Sequence, residues 1–484
     1  MDSIIGRKQE KKRFSNLLSS NEAEFIAVYG RRRVGKTFLI AEFFREKGFY
    51  FELTGQYNAS MALQLQNFIT VYKKVFGIQD KIPKLKSWNQ AFEMLKERLE
   101  EQTLKEKVIL FFDELPWLSN RKSGFLGALE HFWNTWASRQ KSCKLIVCGS
   151  AASWIIQNII NAKGGLHNRL TATIRLLPFS LSESMEFLRS RGIRLNERQL
   201  LDIYMVTGGV PHYLKQIKKD LSAAQNINEL CFRKDGFLTD EFNRLFGSLF
   251  ENSADHKKLV VALAGSKNGL DRTELRKVLG AKPGGTLNRI LANLEEAGFI
   301  MRIRPFGRVN REVTYRLCDE YCRFYLNWIV KAEQIDDDRS DLDYWQQQST
   351  SQRWKIWAGL AFEDVCFKHI GAIKKALGIN GIMTSESSWL LKGNSEQDGA
   401  QIDLLIDRND QCITICEIKY YWNTWKLDKT DAADLQRKIS LFKEATGTKK
   451  TLFLSLILVE DFVHNENSRG LVNNVVLLKD LMDS

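Results

Sequence analysis

Two carboxylates and one ammonium group lie on a predicted β-hairpin near the end of the chain. The segment QIDLLIDRNDQCITICEIKYY, residues 401–421, consists of two β-type runs around the polar turn DRNDQ. Asp403 is on the first run, and period-two alternation places Glu417 and Lys419 on one otherwise apolar face of the second. Charged groups on such a face are costly unless they share a ligand. We therefore predict that Asp403 and Glu417 bind a divalent metal, while Lys419 orients or activates metal-bound water for hydrolysis.

A glycine-rich loop near the start of the chain predicts a second site, one that binds phosphates. The apolar run EFIAVYG enters GRRRVGKT, and the following FLIAEFFREKG has apolar residues at helical spacing. This is G-x-x-x-x-G-K-T in the strand–loop–helix context that the motif requires, with Lys36 for the β- and γ-phosphates and Thr37 for magnesium. The predicted nucleotide-binding residues of this loop are Gly30, Arg31, Arg32, Arg33, Val34, Gly35, Lys36 and Thr37.

Two further apolar runs end in polar residues that fit this phosphate site. KVILFFDEL indicates a parallel strand buried on both faces, and it ends in Asp113 and Glu114. Ligands bind at the carboxyl ends of such strands, so we expect Asp113 to hold magnesium through water and Glu114 to polarise the attacking water. A helix cap is the alternative. KLIVCGS ends in Ser150, and Arg169 precedes another predicted strand, where it contacts a phosphate or simply faces solvent.

Together with the opening box GRKQE (6–10) and the later VTGGVPHYL (206–214), these motifs resemble the archaeal-type ATPases of the AAA/STAND group over roughly residues 1–215. The resemblance implies a P-loop, AAA-type parallel sheet with helices on both faces, and ATP and Mg²⁺ as cofactors. It gives Ser150 the role of the sensor residue that responds to the γ-phosphate. Arg169 either contacts a phosphate, in its own or a neighbouring subunit, or is an ordinary surface arginine. A homo-oligomer formed through the ATPase domain fits the same resemblance.

Residues 251–317 predict three helices followed by two β runs around a Pro-Phe-Gly turn, the pattern of a winged helix-turn-helix. The part from 251 to 316 has 13 basic and 7 acidic residues, a net charge of +6. The proposed recognition helix carries Arg289 but also Glu295 and Glu296, so both DNA contact and a role as an interdomain clamp stay open. The arginines that crowd the candidate wing, where DNA phosphates would be contacted, are Arg302, Arg304, Arg308 and Arg311.

An acidic residue in an earlier helical segment, Glu363, extends the pattern of charged residues on the hairpin. The spacing D-x13-E-x-K, preceded by Glu363, resembles the PD-(D/E)xK restriction-endonuclease-like nucleases over about residues 350–460. The resemblance implies a metal site formed by Asp403, Glu417 and Glu363, catalysis by Asp403, Glu417 and Lys419, and Mg²⁺ or Mn²⁺ as the metal.

One departure weighs against a direct transfer of these roles. Asp403 follows Gln401 and Ile402, so the Pro-Asp dipeptide of the family pattern is missing. Gln436 on a later helix is an optional contributor to the site. The alternative is a buried Glu417–Lys419 pair that braces the sheet.

Length and charge organise these motifs into an α/β multidomain protein. The 484 residues exceed one ordinary core. We predict an ATPase domain in 1–215, a helical linker and winged helix in 216–330, and a restriction-endonuclease-like α/β domain in 345–484. Residues 1–329 contain 52 basic and 34 acidic residues, a net charge of +18, whereas 330–484 contain 19 and 24, a net charge of −5. The basic front favours a polyanionic partner such as nucleotide or DNA.

The apolar runs are too short to span a membrane, the start has no apolar signal core, and the eight cysteines are scattered. These features predict a cytoplasmic protein with reduced, buried thiols and no membrane partner. The leading function is an ATP-dependent, DNA-directed enzyme that cleaves phosphodiesters. A non-catalytic STAND-like switch with an inert nuclease fold is the second, and a small-molecule kinase is the weakest because the later modules have no use there.

Overall fold

The computed structural model describes residues 4–120, 123–161, 168–250, 253–280, 285–307, 313–333, 344–393 and 399–483. The chain forms two compact units, the first from Met1–Pro178 and Gly247–Glu251, the second from Phe179–Phe246 and Asn252–Ser484. This division does not test the three predicted domains, which stay predictions.

The first unit is built on a parallel sheet in the order β2-β3-β4-β1-β5, five strands within the described residues. Every residue of β3 and β4 is buried, because helices cover both faces of the sheet. Side chains of β3 alternate between two cores, with Leu110 in one and Ile109 in the other. The predicted α/β fold with a parallel P-loop-type sheet is therefore confirmed. The strands are β1 (Glu24–Tyr29), β2 (Phe49–Thr54), β3 (Val108–Asp113), β4 (Cys143–Gly149) and β5 (Ala172–Arg175).

Helices of the first unit follow the hydrophobic periodicity of the sequence. Ser60 and Ser87 begin two of them by accepting backbone hydrogen bonds as N-caps. The helices are α1 (Lys8–Ser19), α2 (Lys36–Phe44), α3 (Met61–Phe76), α4 (Trp88–Gln102), α5 (Leu115–Leu118), α6 (Phe125–Thr135) and α7 (Ala152–Ile155).

The second unit begins with a helical array. Its α8 starts with a capping box between Ser180 and Glu183. The helices before residue 253 are α8 (Leu181–Ser190), α9 (Glu197–Thr207), α10 (Pro211–Leu214), α11 (Ala223–Cys231) and α12 (Glu241–Leu249), the last of which ends within residues assigned to the first unit.

Three helices and a small antiparallel sheet follow, and they include a short strand, β6, between the first two helices that the sequence did not predict. Strand β8 pairs with both β6 and β7. The elements are α13 (Ser253–Ala264), β6 (Leu270–Asp271), α14 (Arg272–Leu279), α15 (Gly285–Glu296), β7 (Ile300–Pro305) and β8 (Thr314–Leu317).

The C-terminal part contains a mixed sheet of antiparallel and parallel strands. Strands β9, β10 and β11 are antiparallel neighbours, whereas β11, β12 and β13 run parallel. Strand β7 joins the edge of β9, so one sheet has the order β13-β12-β11-β10-β9-β7-β8-β6. The remaining elements are α16 (Glu320–Phe324), α17 (Val330–Glu333), α18 (Tyr344–Gln348), α19 (Gln352–Lys368), α20 (Ile370–Ala376), β9 (Thr384–Leu391), β10 (Ala400–Arg408), β11 (Cys412–Lys419), α21 (Lys429–Thr446), β12 (Thr451–Leu458), β13 (Asn474–Leu477) and α22 (Leu478–Met482).

All eight cysteines are free thiols, and Cys412 is half-buried while the others are buried. Among the described helices, none combines the length and the apolar character that a membrane crossing requires.

Candidate functional site

The glycine-rich loop connects the end of β1 to the start of α2 in the first unit. Gly30 has a φ of 151°, and a Cβ there would lie 2.2 Å from the carbonyl oxygen of Leu176. Gly35 has a φ of 87° and directly precedes Lys36, the first residue of α2. Both glycines therefore allow a backbone path that other residues adopt only at a cost. The loop ends at a helix N-terminus, where backbone amides and the helix dipole favour an anion.

Lys36 is buried against this loop. Its Nζ donates hydrogen bonds to the carbonyl oxygens of Gly30 at 3.0 Å and Arg31 at 2.9 Å. Two backbone carbonyls of the loop thus hold the ammonium group of Lys36 in place. Of the three arginines, Arg31 is buried and Arg32 is exposed, whereas Arg33 is half-buried with a φ of 72°.

The residues predicted to hold magnesium are in contact. The Thr37 hydroxyl donates a hydrogen bond of 2.8 Å to Asp113 Oδ2 at the end of β3. The other oxygen, Oδ1, accepts the backbone N–H of Glu114 at 2.9 Å. Hydroxyl and carboxylate oxygens are ligands that Mg²⁺ prefers, so Thr37 and Asp113 have the chemistry and proximity for this ion.

Glu114 and Ser150 form a second contact, between the ends of β3 and β4. Glu114 Oε2 accepts hydrogen bonds from the Ser150 hydroxyl at 2.9 Å and from its backbone N–H at 3.3 Å. Burial raises the pKa of Glu114, and Lys36 acts in the opposite direction. Glu114 also has a φ of 46°, a left-handed conformation that a non-glycine residue adopts at a cost. Sequence analysis named both residues but did not predict their contact.

Other residues of the opening motifs have supporting positions. Arg7, in the box 6–10, donates from Nη2 to the carbonyl oxygen of Val34 at 3.2 Å and so ties α1 to the glycine-rich loop. Arg169 is exposed in the turn before β5. Among the described residues, no hydrogen bond or ion pair connects it to a residue of the phosphate site.

The second group, which we call the acidic site, consists of Glu363, Asp403, Glu417 and Lys419. Leu404 pairs with Cys416 in the antiparallel register of β10 and β11, so the next position places Asp403 opposite Glu417. Asp403 Oδ2 accepts the backbone N–H of Ile418 at 3.3 Å. The hairpin therefore brings together the charged groups that alternation predicts to share one face.

Electrostatics connect the three carboxylates. Burial raises the pKa of Asp403, and the negative charge of Glu417 raises it further. Burial and then the charge of Asp403 raise the pKa of Glu363, on α19, to about 8. These carboxylates are close enough to repel one another, as ligands that converge on a cation would be. Even so, the described residues contain no group of three or more His, Cys, Asp or Glu side chains in a metal-holding arrangement.

Cationic side chains surround these carboxylates. Glu417 Oε1 is 2.8 Å from Lys419 Nζ and 2.9 Å from Lys438 Nζ, on α21. Arg316 Nη2, on β8, lies 3.6 Å from Glu363 Oε2. Gln436, the contributor suggested on α21, is exposed, and Lys438 two residues later makes the contact instead. Sequence analysis missed Lys438 and Arg316, for which only their positive charge in an amphipathic element was a signal.

The candidate wing lies against the C-terminal sheet. Strand β7 pairs with β9 through Arg304 opposite Ser387, and Arg302 is held by Glu295 Oε1 at 2.6 Å. Arg302 and Arg304 line a 790 Å³ cavity together with Arg272. Arg308 and Arg311 lie outside the described residues. Two of the four predicted wing arginines thus face an open cavity beside β9.

Comparisons with known proteins bear first on the front of the chain. Residues 5–217 match a family model described as an ATPase domain predominantly from Archaea. The uncharacterized protein MJECL04 of Methanocaldococcus jannaschii is 26% identical over 424 residues, which cover 86% of this chain and 87% of the relative. The uncharacterized ATP-binding protein MJ0423 of the same organism is 44% identical over 44 residues, or 9% of this chain and 75% of the relative.

Two solved structures are similar to this chain, both at less than 20% sequence identity. The Walker-type ATPase PABY2304 of Pyrococcus abyssi has a TM-score of 0.47 and 18% identity, covering 67% of this chain and 96% of that one. The ORC2 protein of Aeropyrum pernix, solved as ADPNP and ADP complexes, has a TM-score of 0.40 and 15% identity, covering 69% and 97%.

The family match identifies residues 5–217 as an archaeal-type ATPase domain and supports nucleotide binding. The match runs past Pro178, where the first unit ends before resuming at Gly247. Its last part, with α8, α9 and α10, therefore belongs to the same unit as the acidic site.

Proposed function

We propose that the chain binds and hydrolyses ATP and couples its nucleotide state to DNA binding and metal-dependent phosphodiester cleavage. The observation that carries the ATPase part is the Thr37–Asp113 hydrogen bond of 2.8 Å beside the Glu114–Ser150 contact. In this proposal Thr37 and Asp113 would hold Mg²⁺, and Lys36 would neutralise charge on the β- and γ-phosphates. Glu114 orients and polarises the attacking water, while Ser150 fixes the Glu114 carboxylate.

Cleavage is assigned to the acidic site. Supporting it is the order of elements, in which a helix carrying Glu363 precedes three antiparallel strands, a second helix and a parallel strand, with Asp403 and Glu417 on neighbouring strands. The PD-(D/E)xK resemblance rests on the same sequence of residues, a helical Glu363 followed by the D-x13-E-x-K spacing. Mg²⁺ or Mn²⁺ held by Asp403, Glu417 and Glu363 would lower the pKa of a bound water. Lys419 would orient a water molecule and stabilise negative charge on the phosphate.

DNA binding is assigned to the candidate winged helix and its cavity beside β9. Three arginines lining one cavity of 790 Å³ provide positive charge for backbone phosphates. Glu386 also lines this cavity, but it forms an ion pair of 3.2 Å with Lys374, which offsets its charge.

Coupling is assigned to α9, a helix that the ATPase family match includes. Tyr420 directly follows Lys419 in the chain. Its hydroxyl donates a hydrogen bond of 2.6 Å to Asp202 Oδ1 on α9. A change in the position of α9 would therefore reach the backbone that carries the proposed catalytic lysine.

The second candidate is a non-catalytic, STAND-like switch. The observation that favours it is the double ion pair of Glu417 with Lys419 and Lys438, because a pair that merely braces the sheet has the same geometry.

One incubation separates the two candidates. Purified protein is mixed with plasmid DNA, ATP and either Mg²⁺ or Mn²⁺, beside a Glu417→Ala variant whose folding is checked by its melting curve. Nicked or linear plasmid from the wild type alone supports cleavage at the acidic site. Intact plasmid from a well-folded, ATP-hydrolysing wild type leaves the switch as the function.

A further inference from the structure

We infer that the pocket beside Lys419 binds an unpaired nucleobase of the strand that the acidic site cleaves. This inference rests on the proposed cleavage function and adds the class of substrate. The pocket has a volume of 540 Å³ and lies where β11 ends. Its lining residues include the consecutive Tyr420, Tyr421 and Trp422, followed closely by Trp425.

Aromatic rings at this pocket are available to a ligand. Tyr421 is 39% exposed, and its ring lies 5.2 Å from the ring of Trp425. Ile356 on α19 also lines the pocket and is 62% exposed, a large aliphatic side chain left in contact with water. Exposed aromatic rings beside an apolar side chain suit a nucleobase, since every base has a π face that stacks on aromatic rings.

Positive charge accompanies the rings. Lys355 Nζ lies 4.7 Å from the centre of the Trp422 ring, and the Arg198 guanidinium lies 3.9 Å from it. Asp202, which lies beside the lining residue Tyr420, already accepts a hydrogen bond from the Tyr420 hydroxyl. Cations beside aromatic side chains are the combination that binds single-stranded nucleic acid.

The pocket is also at a useful distance from the proposed reaction. Ile356 and Glu363 are seven residues apart on α19, which corresponds to about 10.5 Å along the axis and to the same side of the helix. A stacked strand rises ~3.4 Å per nucleotide, so the pocket is about three nucleotides from a phosphate at the acidic site.

A concave pocket of this kind favours an unpaired base over a duplex. A base in a duplex has both faces stacked and its edge paired, so it must leave the helix at an energetic cost before it enters. We therefore expect preference for single strands, frayed ends or distorted duplexes. Aromatic grooves also bind proline-rich peptides, but the cations and the nearby acidic site favour the nucleic acid.

The test measures binding without cleavage. In the full-length Glu417→Ala protein, without divalent metal, the affinity for labelled oligodeoxythymidine and for its duplex with oligodeoxyadenosine is measured by fluorescence anisotropy. Adding Tyr421→Ala and Trp425→Ala should weaken single-strand binding about tenfold or more and duplex binding less. Tyr421→Phe, which keeps the ring, and Met383→Ala, an exposed residue outside the pocket, should bind like the parent. If the double variant melts early, Tyr421→Ala alone serves, with a loss of severalfold expected.

Unchanged single-strand affinity in folded pocket variants would overturn the inference, as would displacement of the oligonucleotide by a polyproline peptide at lower concentration than by unlabelled oligodeoxythymidine. The proposed function fails in a different way. If the wild type cleaves no substrate while the pocket variants lose single-strand binding, cleavage is refuted and the pocket stands. If the wild type cleaves and those variants bind normally, the pocket is refuted and cleavage stands.

Discussion

The phosphate site and the acidic site neutralise their charged groups in different ways. At the phosphate site, Asp113 and Glu114 accept hydrogen bonds from the hydroxyls of Thr37 and Ser150, while Lys36 donates to backbone carbonyls. At the acidic site, Glu417 is held by two ammonium groups. Hydroxyls remain compatible with an incoming cation, since their oxygens are themselves ligands, whereas ammonium groups compete with it. We therefore expect the first site to accept Mg²⁺ with nucleotide readily and the second to bind metal more weakly.

The largest expected effects come from the acidic site itself. Asp403→Ala should abolish both metal binding and plasmid cleavage, because the remaining carboxylates hold Mg²⁺ poorly. Lys419→Ala should keep metal binding but lose cleavage, since it removes a group that acts on water and phosphate. Calorimetric Mn²⁺ titration, cleavage assays and thermal melts of both variants provide the readouts.

A bracing pair predicts a different pattern for the same variants. The acidic site of the wild type would then bind no Mn²⁺, so the wild type and Asp403→Ala would give the same Mn²⁺ titration, and removing Lys419 would mainly lower the melting temperature because Glu417 loses a partner while buried. That result would show that the acidic site stabilises the fold and does not bind metal.

The phosphate site should show a comparable but separable loss. Lys36→Ala should weaken ATP binding, whereas Glu114→Gln should still bind ATP and hydrolyse it roughly 10²-fold more slowly, because only water activation is impaired. Nucleotide affinity and phosphate release are measured for each, with Lys47→Ala, an exposed residue outside the glycine-rich loop, as a control. Wild-type hydrolysis in both variants would show that the residues are misassigned.

Stability of the second unit should depend on acid through a buried histidine. His369 Nδ1 donates to Val365 O at 2.7 Å, and Nε2 accepts the Leu181 N–H at 2.9 Å, so the neutral ring satisfies both partners. Burial lowers the pKa of His369 from 6.5 to about 4. Its contribution is therefore present above pH 6.5 and lost as pH falls through 4, by about 3 kcal/mol in full.

Urea melts between pH 7 and pH 4 measure this dependence. His369→Leu should lose about 1–3 kcal/mol at pH 7, because the Leu181 N–H stays buried without an acceptor, and should show a flatter pH profile. An identical pH slope in the variant and the wild type would assign the acid sensitivity to other groups.

Competition between lysine and metal at the acidic site tests whether its ammonium groups make it a weaker metal site than the phosphate site. Lys438→Met removes one of the two ammonium groups on Glu417 while keeping an unbranched side chain of similar length. Mn²⁺ affinity should rise about tenfold, since like charges 4 Å apart cost about 4 kcal/mol at an effective dielectric constant of 20 and solvent reduces that value. Lys443→Met, on the exposed part of the same helix, is the matched control. Lower or unchanged affinity in Lys438→Met would mean that the lysine does not oppose metal binding.

The smallest expected effect concerns the candidate wing. Replacing Arg302 and Arg304 with Ala should weaken DNA binding similarly across sequences and reduce its dependence on salt, by a slope change of up to about 2. Arg302 is already paired with Glu295, which makes the change smaller than for two unpaired arginines. Affinities at several salt concentrations check this, and an unaltered slope would return the winged segment to a purely structural role.

Sequence alone determined the features whose partners are close along the chain or related by a simple period. The glycine-rich loop needs only its own strand and helix, so Gly30, Lys36 and Thr37 were recognisable from their spacing. Asp403 and Glu417 could be matched because residues at equal distances from a hairpin turn face each other in antiparallel strands. The continuous apolar run of β3 likewise predicted a strand buried on both faces.

Tertiary structure decided which distant elements complete each site. Alternation assigns a residue to a face of a strand but does not fix the order of strands in a sheet, so the Glu114–Ser150 contact needed β3 and β4 to be neighbours. For the same reason the pairing of β7 with β9 was not visible in the sequence. Lys438 reaches Glu417 from a separate helix, and Asp202 reaches Tyr420 across 218 residues. These contacts depend on how helices pack over a sheet, a global property of the core that no local pattern encodes.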